Sequence, residues 1–171
     1  MLHYQRCARV LSVAAGALFV CAGAWAYSDQ DRAFVSTEMH INTAEIRLAQ
    51  LVLRQSTSDD VKKLAERELM DHRNLENQIL PLAVKMGESE PTMLAVDDQA
   101  LLTRMQGMPG PEFNLTYVRS MLQGHRKALQ LFKEEEADGE DAAVKDTALR
   151  GEPIIARHME MAQHLLSTME K

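Results

Sequence analysis

Four long segments of this chain place apolar residues at three- and four-residue spacing, and this spacing leaves few folds open. The first segment, for example, carries Phe34, Ile41, Leu48 and Val52 in this way. Such a stripe covers one face of an α-helix, and no segment alternates apolar and polar residues long enough to indicate a strand. The chain is therefore predicted to be all-α, with helices over roughly residues 30–56, 58–87, 112–137 and 141–170.

The joints between these segments predict how the helices are connected. Residues 55–58 and 138–140 form turns so short that the helices on either side must run antiparallel. The remaining joint, from Glu88 to Pro111, is long and rich in Pro and Gly, and residues 97–106 within it could form a short extra helix. Two antiparallel hairpins joined by one long crossover are typical of a ferritin-like four-helix bundle.

Local signals refine the second and fourth helices. Ser58 is predicted to cap the second helix and Gly87 to end it. Pro81 and Pro153 lie inside the second and fourth helices. Because proline lacks the backbone N–H that a helix interior needs, each is expected to kink its helix or to start a new segment there.

The N-terminus has the layout of a secretory signal. Two arginines precede an apolar run at residues 10–24, and a small-residue cleavage pattern, Ala24-Trp25-Ala26, follows. The run has about 15 residues, fewer than the ~20 that span a bilayer. We expect residues 1–26 to be a signal peptide that is cleaved. A single domain over residues 27–171 would then be periplasmic or secreted.

The composition of the chain excludes some kinds of metal site and argues against some kinds of binding partner. Both cysteines, Cys7 and Cys21, lie in the predicted signal, so the mature chain has no disulfide and no thiolate metal site. Loss of the signal leaves 17 of the 19 basic residues against 25 acidic ones. An acidic surface argues against nucleic acid as a partner. No transmembrane segment is expected after signal removal, and a second copy or another envelope protein stays open as a partner.

Every predicted helix has ionisable residues on its apolar stripe near mid-length. They are Glu38 and Glu45 in the first helix, Glu68 and His72 in the second, His125 in the third and His158 in the fourth. A buried charge without a partner costs free energy. Glu45 and the three histidines each lie near the midpoint of a helix, so we expect them to share one layer of the bundle.

Such a layer predicts a metal site. Imidazoles and carboxylates are ligands for zinc, iron or manganese, and for copper where methionines take part. The predicted ligands of one divalent ion are Glu45, Glu68, His72, His125 and His158. A di-iron centre of the ferritin type is poorly supported, because no Glu-x-x-His is present and Glu68 and His72 are four residues apart.

A metal-free polar network is the alternative, and it would act by fixing the register of the helices. In that network His72 would be hydrogen-bonded to Glu45. Asp71 could orient the neighbouring ring of His72, although adjacent side chains on a helix diverge. The chain has no Gly-rich phosphate loop and no serine with an obvious base beside it. These absences favour a binding or structural protein over an enzyme.

Four stretches of the chain resemble the bacterial domain of unknown function 4142 family: "DRAFV…TAEIRLAQL", "VKKLAERELMDHRNLENQILPLAVKMG", "EFNLTYVRSMLQGHRKALQLFKEE" and "EPIIARHMEMAQHL". The resemblance covers nearly all of residues 29–166. It implies a secreted, ferritin-like helical protein, and it implies no particular activity. The positions that match the family pattern are Glu45, Asp71, His72, Tyr117, His125 and His158. Gly124 departs from it, because the family usually has Asp before the third-helix histidine.

Overall fold

The structure, a computed structural model, describes residues 27–171. The predicted signal peptide, residues 1–26, lies outside the described residues. Five helices make up the described part, in the order α1 (Asp29–Gln55), α2 (Asp59–Met86), α3 (Val96–Gln106), α4 (Gly110–Asp138) and α5 (Ala142–Met169). The four long helices and the short extra helix were all predicted, with ends that differ by at most two residues.

The helix ends follow the local chemistry of the sequence. Ser28 caps α1 in a capping box: its hydroxyl accepts from the Asp31 N–H, and the Asp31 carboxylate accepts from the Ser28 N–H. Ser58 caps α2 by accepting from the Val61 N–H, as predicted. Gly87 ends α2 in the left-handed conformation, with a φ of 82°, where glycine lacks the Cβ that would clash.

Contacts at the two ends of the bundle set the direction of each helix. At one end the Ser56 hydroxyl, in the α1–α2 turn, donates to Asn114 near the start of α4 at 2.8 Å. At the other end the Asp31 carboxylate accepts from the backbone N–H groups of Glu140 and Asp141 in the α4–α5 turn, each at 3.1 Å. Therefore α1 and α5 run one way, and α2 and α4 run the other way.

The segment from α2 to α4 is the long crossover, because it must travel the length of the bundle. It includes α3, which packs against α1 and α4. The two hairpins, α1–α2 and α4–α5, pack against each other through α2 with α5 and through α1 with α4. The ferritin-like connectivity predicted from the joint lengths is confirmed.

Two apolar clusters fill the bundle, one on each side of a polar layer. The first takes residues such as Val52, Val61, Phe113, Tyr117 and Ala162, and the second takes residues such as Phe34, Ile79, Phe132, Val144 and Ile155. The polar layer at their junction is formed by inward-facing ionisable residues of all four long helices: Glu38, Glu45, Glu68, His72, His125 and His158. Two further buried carboxyls, those of Asp31 and Glu135, lie at the end of the bundle near the α4–α5 turn. The apolar core is thus divided into two parts by the polar layer.

Neither internal proline interrupts its helix, which corrects the expectation of a new segment at each. The helices α2 and α5 run through Pro81 and Pro153. Both prolines are exposed. Water can therefore hydrate the carbonyl that loses its N–H partner one turn earlier. Within residues 27–171, none of the helices is long and apolar enough to cross a membrane.

Candidate metal centre

Three histidines from three helices meet at the centre of the polar layer. His72 of α2, His125 of α4 and His158 of α5 are at most 1% exposed. One ring nitrogen of each lies within 4.8 Å of those of the other two. His125 Nε2 lies 3.4 Å from His72 Nε2 and 3.1 Å from His158 Nδ1. We call these three residues the histidine triad.

The outer nitrogen of each ring has its own hydrogen-bond partner. His72 Nδ1 lies 2.8 Å from Asn42 Oδ1 of α1. His125 Nδ1 lies 2.9 Å from the backbone carbonyl oxygen of Met121, one turn earlier on α4. His158 Nε2 lies 2.9 Å from Asp71 Oδ2 of α2. That carboxylate also accepts from Arg67 Nε at 2.6 Å.

These partners determine which nitrogens carry protons. A carbonyl or carboxylate oxygen can only accept, so the outer nitrogens of His125 and His158 are the N–H donors. A neutral imidazole has one N–H, and its second nitrogen is then a lone-pair acceptor. The inner nitrogens of His125 and His158 therefore face each other as two acceptors at 3.1 Å. Two acceptors at this distance repel each other unless a cation lies between them.

A proton is a poor candidate for that cation. Burial, together with the neighbouring His125 and His158 rings, lowers the pKa of His72 well below its usual value. Burial and the His158 ring lower the pKa of His125 to about 4. Burial also lowers the pKa of His158, and its hydrogen bond to Asp71 opposes the shift without overcoming it. The three rings are therefore neutral bases near pH 7.

The carboxylates of the layer form a different arrangement. The Tyr117 hydroxyl of α4 donates to Glu68 Oε2, while Glu68 Oε1 is buried without a partner among the described residues. Burial and, secondarily, the nearby Glu45 raise the pKa of Glu68 well above its usual value, although the bond from Tyr117 opposes this. Burial raises the pKa of Glu45 to about 8, with Asp98 adding to the rise.

The structure thus brings together three of the five predicted ligands. Glu45 and Glu68 are buried in the same layer, but within residues 27–171 the cluster of ligand atoms within 4.8 Å contains the histidines alone. His72 bonds to Asn42 rather than to Glu45 as the polar-network alternative expected. Asp71 orients His158 across the α2–α5 contact, not its neighbour His72.

The sequence prediction did not include Asn42, because this residue is uncharged. Its position does carry a signal, since Asn42 lies one helical turn after Glu38 and so shares the inward face of α1. The structure confirms that Asn42 is fully buried there. Uncharged polar residues on a core-facing stripe can therefore indicate a buried polar site as ionisable ones do.

Comparisons with known proteins support the fold. The family described as "Domain of unknown function (DUF4142)" matches residues 21–165. A solved structure titled "Crystal structure of DUF305 fragment from Deinococcus radiodurans" is similar, with a TM-score of 0.73 and 15% identity over 83% of this chain and 98% of that chain. At this identity the likeness shows the fold alone. No curated protein matches the sequence.

Proposed function

The chain belongs to the domain of unknown function 4142 family, and we propose that it binds one divalent transition-metal ion through His72, His125 and His158. One observation carries this proposal. The inner ring nitrogens of the three histidines lie together, each with a free lone pair, while each outer ring nitrogen is hydrogen-bonded to Asn42, the Met121 carbonyl or Asp71. A metal ion is the cation that such a set of lone pairs binds best.

The spacing of the nitrogens supports the proposal. Two nitrogens that each lie ~2.0–2.1 Å from a tetrahedral zinc ion are about 3.3 Å apart. The triad shows 3.4 Å and 3.1 Å for its two close pairs, and its third pair lies within 4.8 Å. The histidines could therefore bind one ion after a movement that brings the third pair closer. Three imidazoles without a thiolate suit zinc, copper or iron better than manganese.

The outer partners are those that metal-bound histidines use. Such a histidine usually donates its second N–H to a carboxylate or a backbone carbonyl, and this bond fixes the ring and makes it more basic. Asp71 supplies the carboxylate for His158, and Met121 supplies the carbonyl for His125. The site is thereby organised before an ion arrives.

The polar-network alternative is favoured by one observation, because His125 Nε2 and His158 Nδ1 are within hydrogen-bond distance at 3.1 Å. To form that bond, either His125 Nε2 or His158 Nδ1 would have to carry a proton. The donor ring would then either be charged in a buried position or turn a lone pair toward its outer partner, the Met121 carbonyl for His125 or the Asp71 carboxylate for His158. Both cost free energy, so we propose the metal site as the function and the network as its apo state.

We also propose that the protein works in the cell envelope. The support is the signal-like layout of residues 1–26, together with a folded domain that begins at the Ser28 cap, directly after the expected cleavage position. N-terminal sequencing of protein from the periplasmic fraction should then start at Tyr27. This preparation also supplies material for the metal test, which must carry no histidine tag.

The test is the metal content of this periplasmic protein, compared with His72→Ala and with His164→Ala as a matched control. His164 is an exposed histidine of α5 outside the triad. We expect one equivalent of metal in the wild type and in His164→Ala, and none in His72→Ala that still shows a helical circular dichroism spectrum. A metal-free wild type that also ignores added zinc, copper and iron would contradict the proposal.

A further inference from the structure

A pocket opens beside the triad, under the short helix α3. Its volume is about 220 Å³, which is enough for several water molecules. It lies between α1, α3 and α4. The lining residues that bear on its chemistry are Glu45, Asp98, Ser120, Met121, Gly124 and Lys127. We call it the α3 pocket.

Glu45 connects this pocket with the polar layer. Its side chain lines the pocket, yet the residue is only 7% exposed. Its Oε2 atom is buried and has no hydrogen-bond partner within residues 27–171. A carboxylate oxygen without a partner costs free energy unless a proton or a cation reaches it. Glu45 therefore lines the pocket with a carboxyl that has one oxygen free to take a ligand.

The pocket also reaches the backbone that holds the triad. Met121 lines the pocket, and the carbonyl oxygen of Met121 is the acceptor for His125 Nδ1. The triad itself is at most 1% exposed, so an ion can reach it only through the protein. The α3 pocket brings solvent to the residues immediately around His125.

Gly124 lies in the wall of the pocket beside the Glu45 carboxyl. A Cβ at position 124 would lie 3.4 Å from Glu45 Oε1, which is ordinary van der Waals contact. Alanine would therefore fit at this position, whereas a long side chain such as leucine would extend into the pocket and fill it.

The carboxyl oxygens of the pocket suit a divalent cation. Glu45 and Asp98 both line it, together with the basic residue Lys127. The two carboxyls are near enough for Asp98 to add to the rise in the Glu45 pKa that burial causes. Glu45 is therefore largely protonated near neutral pH, so the affinity for an ion comes from a carboxyl that exchanges its proton for the metal, and not from a net negative charge.

From this geometry we propose that the α3 pocket is a capture site for a hydrated divalent metal ion. Glu45 and Asp98 bind the ion there before it passes to the histidine triad. The proposal rests on the metal-binding function proposed above, and it gives Glu45 a role in loading rather than in the final coordination. Binding of the ion displaces the proton that Glu45 carries near neutral pH.

The test follows the uptake of Co²⁺ by the metal-free protein, since Co²⁺ bound by three histidines absorbs visible light. Wild type is compared in stopped flow with Glu45→Gln, which removes the carboxyl that exchanges its proton for the ion, and with Gly124→Leu, which fills the pocket. Glu160→Gln is the control, because Glu160 lines a different surface groove between α4 and α5. We expect uptake at least tenfold slower in both pocket variants and unchanged in the control.

The final spectrum separates this proposal from the metal site itself. In all four proteins the same Co²⁺ band should form at the end of the reaction, since His72, His125 and His158 are intact. Equal rates in wild type and Glu45→Gln would overturn the capture site and leave the triad standing. No band in the wild type would overturn the triad, and the capture proposal with it. Glu45→Gln keeps the test valid if Gly124→Leu does not fold.

Discussion

The histidines and the carboxylates of the polar layer are buried to similar depth, but they differ in what surrounds them. Each histidine of the triad has one engaged nitrogen and one free nitrogen, and the free ones point at one another. Glu38, Glu45 and Glu68 instead each have at least one oxygen that is buried without a hydrogen-bond partner within residues 27–171. The first group is arranged to receive a cation, whereas the second is left short of hydrogen bonds.

This difference identifies the carboxyls as the groups whose burial lowers the stability of the protein. Neutral imidazoles can be buried at modest cost when one N–H is bonded. A buried carboxyl without a partner stays protonated, or it ionises at a considerable cost in free energy. We therefore expect the carboxylates to govern how stability depends on pH, and the histidines to govern metal affinity. The following predictions test whether these two roles are separate.

The largest expected effect is that of Glu38→Gln on stability at alkaline pH. Burial raises the pKa of Glu38 from 4.5 to about 8; the nearby Asn42 amide opposes the rise, and Glu45 adds to it. Between these pH values the folded protein holds a proton that the unfolded chain has released, so stability falls as the pH rises from about 4.5 to about 8. Glutamine cannot ionise. The stability of Glu38→Gln relative to wild type should increase by on the order of 3 kcal/mol between pH 5 and pH 8.

Urea unfolding at pH 5, 6.5 and 8 in the presence of a chelator measures this difference. The triad histidines have lowered pKa values and change stability in the opposite direction below about pH 6.5, but they do so equally in both proteins. Glu66→Gln, at an exposed position on α2, is the control. A difference that stays constant with pH would show that Glu38 is ionised in the folded protein.

The periodicity of the sequence was sufficient to predict the bundle and its polar layer. Apolar residues at three- and four-residue spacing determine which face of each helix is buried, and they do so locally. The joint lengths then fix which neighbours are antiparallel. His72, His125 and His158 lie at one level because each is near the middle of a helix of similar length.

Contacts across the bundle could not be predicted in the same way. A stripe shows that Glu68 faces inward, but not that Tyr117 of α4 is the residue it meets. Adjacent residues on a helix point about 100° apart, so Asp71 does not face the same way as His72. It points toward α5, where its carboxylate meets His158. Such pairs depend on the rotation of each helix and on which helix lies beside it, and neither is encoded in one segment alone.

A second prediction concerns the support of the triad by Asp71. In Asp71→Asn the side chain can still accept the proton of His158 Nε2, but the negative charge that makes this ring more basic is lost. Loss of such an outer partner typically weakens metal affinity by about 10–100-fold. Competition with a chelator of known affinity measures the change. Asp146→Asn, which removes an exposed carboxylate paired with Arg150, is the control and should leave the affinity unchanged.

The opposite outcome for Asp71 would also be informative. If Asp71→Asn bound the metal as tightly as wild type, the contact at 2.9 Å between His158 and Asp71 would serve the α2–α5 packing rather than the metal. The variant would then lose stability in the metal-free state instead. Chelator competition and urea unfolding on the same samples distinguish the two roles.

The smallest expected effect, and the sharpest contrast, comes from Tyr117→Phe. The change removes the hydroxyl that donates to Glu68 and leaves that carboxyl with no hydrogen bond, at a cost of about 1–2 kcal/mol. In a double-mutant cycle with Glu68→Gln, urea unfolding should therefore show a coupling between the two residues. Because Tyr117 and Glu68 lie outside the triad cluster, the metal affinity should stay at the wild-type value. A loss of metal affinity in Tyr117→Phe would mean that Glu68 binds the ion together with the histidines. In that case the histidines and the carboxylates would not have separate roles in metal binding and in stability.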